Sequence, residues 1–309
     1  MELGLRIPHV GALAGRQFIR QFCTTAEAVG IGSLWAVDHV VMPQHTDSLY
    51  TLNPEPTSIA DGAVSRQLAP NYECLSTLLW VAGFTERVRL GTAISILPIR
   101  PPLLNARMLA SLDVFSGGRL IFGVGVGWLE EEAAAMHMPW DHRGQRSDEH
   151  IELLRRVWTA EGDVVDFSGR FYSFGPIDPA PRPVQTPPPI LVGGHSPVAL
   201  RRAGTLGDGW IATGLSPQVL SEGWDAVRRH AAAAGREPDR LLLVNSVRVG
   251  ITDDPDRPLA DEIPAVIERL GAFRRLGVDH LMVGTRDKDP AVELAAIRVL
   301  GTEVAPSLA

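Results

Sequence analysis

The sequence contains very little lysine and cysteine. Lys288 is the only lysine among 309 residues, so Schiff-base chemistry and a phosphate loop with a lysine would both depend on it. Because its context, TRDKDP, is typical of a loop, we expect neither mechanism. Cys23 and Cys74 are the only cysteines. Two cysteines exclude a disulfide framework and a cysteine-rich metal site, and they fit a reducing compartment.

The chain also lacks long hydrophobic runs and basic runs. No apolar stretch approaches the roughly 20 residues that a membrane-spanning helix needs. The first residues, MELGLRIPHV, carry Glu2 and Arg6 in a strand-like pattern, unlike a signal peptide. With 29 basic and 36 acidic residues, the net charge of −7 disfavours nucleic acid as a partner. We therefore expect a cytoplasmic protein that acts on a small molecule, away from membranes.

Apolar runs of strand length alternate with helical periodicity along the whole chain, which predicts eight strands, each followed by a helix. This pattern favours a single α/β domain over residues 1–309, folded as a (β/α)8 TIM barrel. A doubly wound sheet is the alternative, but it more often carries a glycine fingerprint after its first strand. The predicted strands are 2–7, 33–38, 88–95, 119–126, 189–194, 209–213, 241–249 and 280–284. The predicted helices are 15–29, 72–84, 102–115, 147–160, 197–206, 217–234, 261–276 and 289–300.

Two insertions interrupt this repeat. Residues 46–71, after the second strand, form a long polar connection, which we interpret as a lid over the site. Residues 162–189, before the fifth strand, begin with a predicted hairpin, VVDFSGRFYSF, and end in a proline-rich segment. Ser147 is predicted to cap the helix that follows it. Gly30, Gly235 and Gly277 stand where helix ends favour left-handed geometry.

The residues at the carboxyl ends of the predicted strands indicate the type of site, because barrel enzymes place their active sites there. We find neither the residue spacing of a metal site nor a G-x-S-x-G motif. Small residues, glycines and tryptophan predominate, which is typical of a site that holds a flat organic cofactor. An isolated His39 would more often be structural, but its position beside Asp38 at a strand end favours a functional role.

Two glycine motifs lie at these strand ends. In FGVGVGW (122–128) the glycines alternate, so one face of the strand is bare; this pattern indicates close packing of another element or room for a flat ligand. GGHSP (193–197) opens a helix, where free N–H groups attract phosphate. Ser196 followed by Pro197 is equally typical of a simple helix cap. Arg143 and Arg146 are either solvated or turned toward a ligand, and the sequence leaves both interpretations open.

Three motifs in order, LWAVDHVVMP (34–43), LPIRPPLLNARMLASLDVFSGGRLIFGVGVGWLEEE (97–132) and PPPILVGGHSPVALRRAGTLGDGWI (187–211), give the chain a strong resemblance to the luciferase-like monooxygenase superfamily. Within it, the chain is most similar to the branch of probable coenzyme F420-dependent oxidoreductases. The resemblance extends to about residue 215. It implies a (β/α)8 barrel that binds F420 or reduced FMN at the strand ends.

The resemblance also implies roles for individual residues. It places Asp38 and His39 against the cofactor ring as catalytic and binding residues, and Ala93 and Ile94 at a cis peptide bond common in the family. The remaining implied contacts lie along the ring and around the phosphate, and no metal is implied. These cofactor-binding residues are Gly125, Val126, Gly127, Trp128, Gly193, Gly194, His195 and Ser196.

Three functions follow as hypotheses. The first is hydride transfer between F420 and a small organic substrate. The second is an FMNH2-dependent monooxygenase supplied by a partner reductase, and the third is a non-catalytic flavin-binding protein. Trp128 replaces the glutamate proton donor of related sugar-phosphate dehydrogenases, so we do not expect glucose-6-phosphate as the substrate. FMN-using luciferases often carry an arginine near the position of Val126, and the absence of that arginine here favours F420. We also expect a homodimer.

Overall fold

A closed barrel of eight parallel strands forms the centre of the described part of the chain. The computed structural model describes residues 1–49, 69–285 and 289–309. Neighbouring barrel strands follow the order β3, β2, β1, β11, β10, β9, β8, β5, and pairing of β3 with β5 closes the ring. In chain order the strands are β1 (Glu2–Arg6), β2 (Ser33–Ala36), β3 (Arg89–Thr92), β4 (Ser95–Ile96), β5 (Leu120–Gly125), β6 (Val165–Ser168), β7 (Ser173–Ile177), β8 (Ile190–Gly193), β9 (Gly209–Thr213), β10 (Leu242–Arg248) and β11 (His280–Gly284).

Helices connect the barrel strands. Ser196, Ser216 and Glu73 begin three of them, and each side chain accepts backbone N–H bonds from the first turn. Across the described ranges, no helix is both long and apolar enough to span a bilayer. The helices are α1 (Arg16–Ala28), α2 (Cys74–Ala82), α3 (Pro102–Ser116), α4 (Glu130–Ala135), α5 (Arg143–Trp158), α6 (Pro197–Thr205), α7 (Pro217–Ala233), α8 (Ile263–Arg275) and α9 (Pro290–Val299).

The predicted (β/α)8 barrel is confirmed, and the doubly wound alternative is excluded by the closing pair of strands. All eight predicted strands and all eight predicted helices are present. Gly30, Gly235 and Gly277 have φ angles of +85°, +72° and +78°, as predicted for helix ends. The predicted cap at Ser147 is wrong, because α5 begins four residues earlier and the Ser147 hydroxyl donates to the carbonyl of Arg143.

The insertion before β8 begins with the predicted hairpin, in which β6 and β7 pair antiparallel. Glu149 of α5 fixes the turn, because its carboxylate accepts the backbone N–H groups of Arg170, Phe171 and Tyr172. Most of the predicted lid, 50–68, lies outside the described residues, as does Lys288.

The glycines of β5 face the barrel interior, whereas Phe122 and Val124 belong to the core between strands and helices. A methyl group on Gly123 would collide with the carbonyl oxygen of Thr92 and with Ile211. The interior is otherwise filled by large side chains, so little space remains for additional atoms. Its buried members are Trp35, Ile121, Leu191, Ile211, Val244 and Met282.

We expect Gly123→Ala to lower the free energy of unfolding by about 1–3 kcal/mol, because the added methyl overpacks the interior. Gly175→Ala is the matched control, since it lies on β7 and nothing is within 4 Å of the added Cβ atom. Urea denaturation of both variants measures the difference. Equal midpoints for wild type and Gly123→Ala would contradict this packing.

Candidate functional site

The four predicted site segments lie side by side at the mouth of the barrel. They follow β2, β3, β5 and β8, which are consecutive neighbours in the ring. Because parallel strands end at the same edge, the structure brings these segments together along one half of the mouth. Every predicted site residue there keeps some exposed surface except Asp38, which is buried.

Ile94 occupies the space that two glycines leave open. The Ala93–Ile94 peptide bond is cis. A Cβ atom on Gly125 would collide with the Ile94 side chain, and one on Gly193 would lie 2.6 Å from its Cγ2 atom. Of the two interpretations of the bare face of β5, close packing of another element therefore applies at Gly123 and Gly125. Protein atoms fill that space, and Ile94 forms the apolar surface of the mouth at this point.

His39 is held by a buried carboxylate from another part of the chain. Its Nδ1 atom lies 2.8 Å from Oε2 of Glu132, and Oε1 of Glu132 accepts the N–H of Val40 at 2.6 Å. The Glu132 side chain is 2% exposed, whereas that of His39 is 16% exposed. Trp128 packs edge-on to the imidazole, with ring centroids 6.0 Å apart. Glu132, and not the adjacent Asp38, therefore orients the His39 ring.

Asp38 instead forms a buried ion pair with Arg100. Its Oδ1 and Oδ2 atoms accept from the guanidinium at 2.9 and 2.5 Å, and Oδ2 also accepts from the hydroxyl of Ser95 and the N–H of Ile96. Burial disfavours the charged form of Arg100, but the bonds to Asp38 raise its pKa above the ordinary value. Asp38 therefore fixes the segment that follows the cis peptide.

Arg100 also donates a hydrogen bond, at 2.7 Å, to Glu73, which is the residue that caps α2. Donor atoms of Asp38, Glu73 and Cys74 lie within 4.8 Å of one another, the spacing of a metal site. However, the guanidinium already provides a cation to both carboxylates. Sequence reasoning missed Arg100, since nothing in LPIRPP marks its arginine as the partner of an aspartate 62 residues away.

Glu131, next to Glu132, holds the start of the predicted lid in place by hydrogen bonds. Its carboxylate accepts the backbone N–H of Asp47 at 2.7 Å and the hydroxyls of Thr46 and Ser48 at 3.0 and 2.8 Å. Burial opposes ionisation, but these bonds outweigh it and lower the pKa of Glu131 to about 2. At the other end of the segment, the Asn71 side chain donates to the carbonyl oxygen of His39 at 2.7 Å. Both ends of the segment are therefore fixed beside the site.

The loop before α6 turns at a glycine and ends in a helix cap. Gly194 has a φ of +111°, and the Ser196 hydroxyl caps α6 by accepting the N–H of Ala199 at 3.2 Å, so the cap interpretation is confirmed. Nε2 of His195 accepts the N–H of Thr213 at 3.1 Å. Burial lowers the pKa of His195, and this acceptor role keeps the ring neutral with its proton on Nδ1.

Known proteins resemble this chain over most of its length. The profile of the Luciferase-like monooxygenase family matches residues 7–290. An F420-dependent glucose-6-phosphate dehydrogenase of Kineococcus radiotolerans is 30% identical over 246 residues, covering 78% of this chain and 66% of that protein. An FMNH2-dependent dimethylsulfone monooxygenase of Pseudomonas putida is 37% identical over 155 residues, covering 49% of this chain and 42% of that protein.

The fold also has relatives among solved structures. An F420-dependent secondary alcohol dehydrogenase, solved in complex with an F420–acetone adduct, superposes with a TM-score of 0.78 at 18% identity. The match covers 100% of this chain and 99% of that one. At this identity the match supports the barrel fold.

We expect Asp38→Asn to lower the free energy of unfolding by about 3–5 kcal/mol, because it removes the more deeply buried of the two carboxylates that pair with Arg100. His39→Asn serves as the comparison, since the neighbouring side chain is partly exposed and not part of this ion pair. Urea denaturation of both variants makes the measurement. If Asp38→Asn keeps wild-type stability but loses turnover, Asp38 acts in the chemistry instead.

Proposed function

Because this chain belongs to the luciferase-like monooxygenase family and is an enzyme, we propose that it transfers a hydride between coenzyme F420 and a small organic substrate at the mouth of the barrel. The observation that carries the proposal is the pairing of His39 with buried Glu132. A histidine held in this way, at the end of a barrel strand and open to the mouth, is suited to moving a proton.

The residues at the mouth fit a flat ring with a phosphate at one end. Ile94 supplies an apolar surface between Gly125 and Gly193. The first N–H groups of α6 have no partner within the helix, and Ser196 satisfies one of them, so the others are suited to a phosphate. We propose that Ala93, Val126, Gly127, Trp128 and the 193–196 loop complete this binding surface. When bound, F420 would supply the hydride chemistry.

His39 has a defined role in this proposal. Glu132 accepts the hydrogen on Nδ1, so the neutral ring presents Nε2 as an acceptor. Oxidation of an alcohol releases a proton along with the hydride, and Nε2 would take that proton. The Glu132 carboxylate then stabilises the imidazolium that forms, because the opposite charge lies 2.8 Å away. In the reverse direction the same atom returns the proton to a carbonyl oxygen.

Val126 bears on the choice of cofactor, and Trp128 bears on the choice of substrate. FMN-using luciferases often carry an arginine near the position of Val126. This chain lacks that arginine, which favours F420. Trp128 replaces the glutamate of related sugar-phosphate dehydrogenases, so we do not propose glucose-6-phosphate as the substrate. An FMNH2-dependent monooxygenase is the second candidate, supported by the similarity to the dimethylsulfone monooxygenase. Its partner reductase and the expected homodimer stay predictions.

We expect the purified protein to bind F420 at least about tenfold more tightly than FMN. Equilibrium titration with each cofactor measures this ratio. Anaerobic turnover of a panel of alcohols and carbonyl compounds then tests hydride transfer. A tenfold preference for FMN, together with oxygen uptake when FMNH2 is supplied, would favour the monooxygenase instead.

We expect His39→Ala to lower kcat by about 10²–10⁴-fold, because the variant has no proton acceptor at this position. His39→Asn should lose as much, since an amide does not take up the proton. Glu132→Gln should also lower kcat, because the imidazolium that forms on His39 loses its counter-charge.

Glu130→Gln is the matched control, as Glu130 is an exposed residue on the same helix. Its turnover should equal that of the wild type. If His39→Asn retains most activity and His39→Ala chiefly weakens cofactor binding, the histidine shapes the ring pocket and does not transfer the proton.

A further inference from the structure

His9 is a fully buried histidine, just after β1, that the proposed mechanism does not use. Its Nδ1 atom lies 3.0 Å from the carbonyl oxygen of Ile7, two residues earlier in the chain. Its Nε2 atom lies 2.9 Å from the carbonyl oxygen of Val37, immediately after β2. The ring therefore connects two neighbouring strands at the end of the barrel where His39 lies.

The two carbonyl oxygens compete for the hydrogen of the His9 ring. Burial and the charge of Arg6 lower the pKa of His9 by more than Asp38 and the two carbonyl groups raise it, so the ring is neutral near neutral pH. A neutral imidazole donates from one nitrogen only. The oxygen of Ile7 already accepts the backbone N–H of His9 at 2.9 Å. The oxygen of Val37 has no other donor among the residues that the structure describes. We therefore assign the hydrogen to Nε2, where it satisfies Val37.

The carbonyl of Val37 controls the direction of the chain that leads to His39. A peptide group is planar, so the oxygen of Val37 and the N–H of Asp38 turn together as one unit. The carboxylate of Asp38 is fixed by its ion pair with Arg100. A rotation of this peptide group is therefore taken up by the next residue, His39, and changes the direction of its side chain. A hydrogen bond to the oxygen of Val37 prevents that rotation.

Other contacts of His39 do not replace this hydrogen bond. Glu132 holds the ring of His39, and Asn71 donates to its carbonyl oxygen at 2.7 Å. Both contacts are made farther along the chain than Val37, so neither fixes the oxygen of Val37. The ring of His9 supplies that contact, from a position at which it is 0% exposed. A fully buried ring cannot contact a ligand, so any effect of His9 on the reaction is indirect.

We propose that His9 is a positioning residue for the proton-transfer step, and that it acts on His39 through the hydrogen bond from its Nε2–H group to the carbonyl oxygen of Val37. This inference rests on the proposed function, because the role of His9 depends on that of His39. Loss of the hydrogen bond should lower the rate of the reaction without weakening the binding of the cofactor. A small displacement of a reacting group is enough to slow a reaction by a large factor.

Two amide variants separate this role from simple structural support. In His9→Gln the amide nitrogen reaches the position of Nε2 and can donate to Val37, whereas in His9→Asn it reaches only the position of Nδ1. Both variants place an amide in the same buried space, so their Tm values should be similar. Assayed well below those temperatures, His9→Asn should lower kcat by about 10–100-fold with less than about a twofold change in cofactor Kd. His9→Gln should keep kcat within about threefold of the wild type.

NMR of the ¹⁵N-labelled histidine rings tests the same proposal without turnover. At neutral pH the wild type should show a neutral His9 ring with its hydrogen on Nε2. The Nδ1–H signal of His39 reports the contact with Glu132. This signal should keep its wild-type position in His9→Gln and move in His9→Asn. The His39→Asn variant identifies the signal by its absence.

Three results would overturn the proposal. The first is a wild-type kcat in His9→Asn. The second is an equal loss of kcat in both amide variants, because donation to Val37 would then make no difference. The third is a wild-type His9 ring without a hydrogen on Nε2, which decides the matter even if His9→Asn does not fold. If the wild type transfers no hydride with F420, the proposed function fails, and the His39 signal of the two variants still decides whether His9 positions that ring.

Discussion

The carboxylate of Glu132 joins the two halves of the candidate site. Its Oε2 atom accepts a hydrogen bond from Nδ1 of His39, and its Oε1 atom accepts from the N–H groups of Val40 and Val41. Burying a carboxylate is costly unless its oxygens are satisfied, and these three donors satisfy them. As a result α4 is fixed against the loop after β2, which places Trp128 beside the imidazole and Glu131 against the start of the next segment.

The order of strands and helices could be predicted because it depends on local periodicity. Alternation of apolar residues marks a strand, and helical spacing marks a helix, without knowledge of distant contacts. The position of the site followed from the fold, since parallel strands present their carboxyl ends at one edge. For this reason His39, Gly125 and Gly193, which are far apart in sequence, are all predicted to lie at one end of the barrel.

The pairing of side chains could not be predicted, because it depends on contacts between distant segments. Asp38 and His39 are adjacent in sequence, and adjacency suggested that one orients the other. Successive residues of an extended segment point in opposite directions, so Asp38 turns into the protein toward Arg100 while His39 faces the mouth. Glu132 lies 93 residues from its partner, and a run of three glutamates looks like an exposed helix start.

The glycines of β5 show a related limit of prediction from sequence. Alternation reveals that one face of the strand is bare, but it does not reveal what approaches that face. At Gly123 the neighbour is a backbone carbonyl, and at Gly125 it is Ile94. These neighbours are the last residue of β3 and a residue just after it, and they become adjacent to β5 only in the folded barrel.

The position of the site on four consecutive strands has an evolutionary consequence. The residues that we assign to the ring and to proton transfer follow β2, β3, β5 and β8, whereas β1, β9, β10 and β11 form the opposite half of the ring of strands. Loops at this end of a barrel tolerate sequence change better than the strands that carry them. Related chains can therefore exchange the loops of one half and acquire new substrates while the other half retains its chemistry.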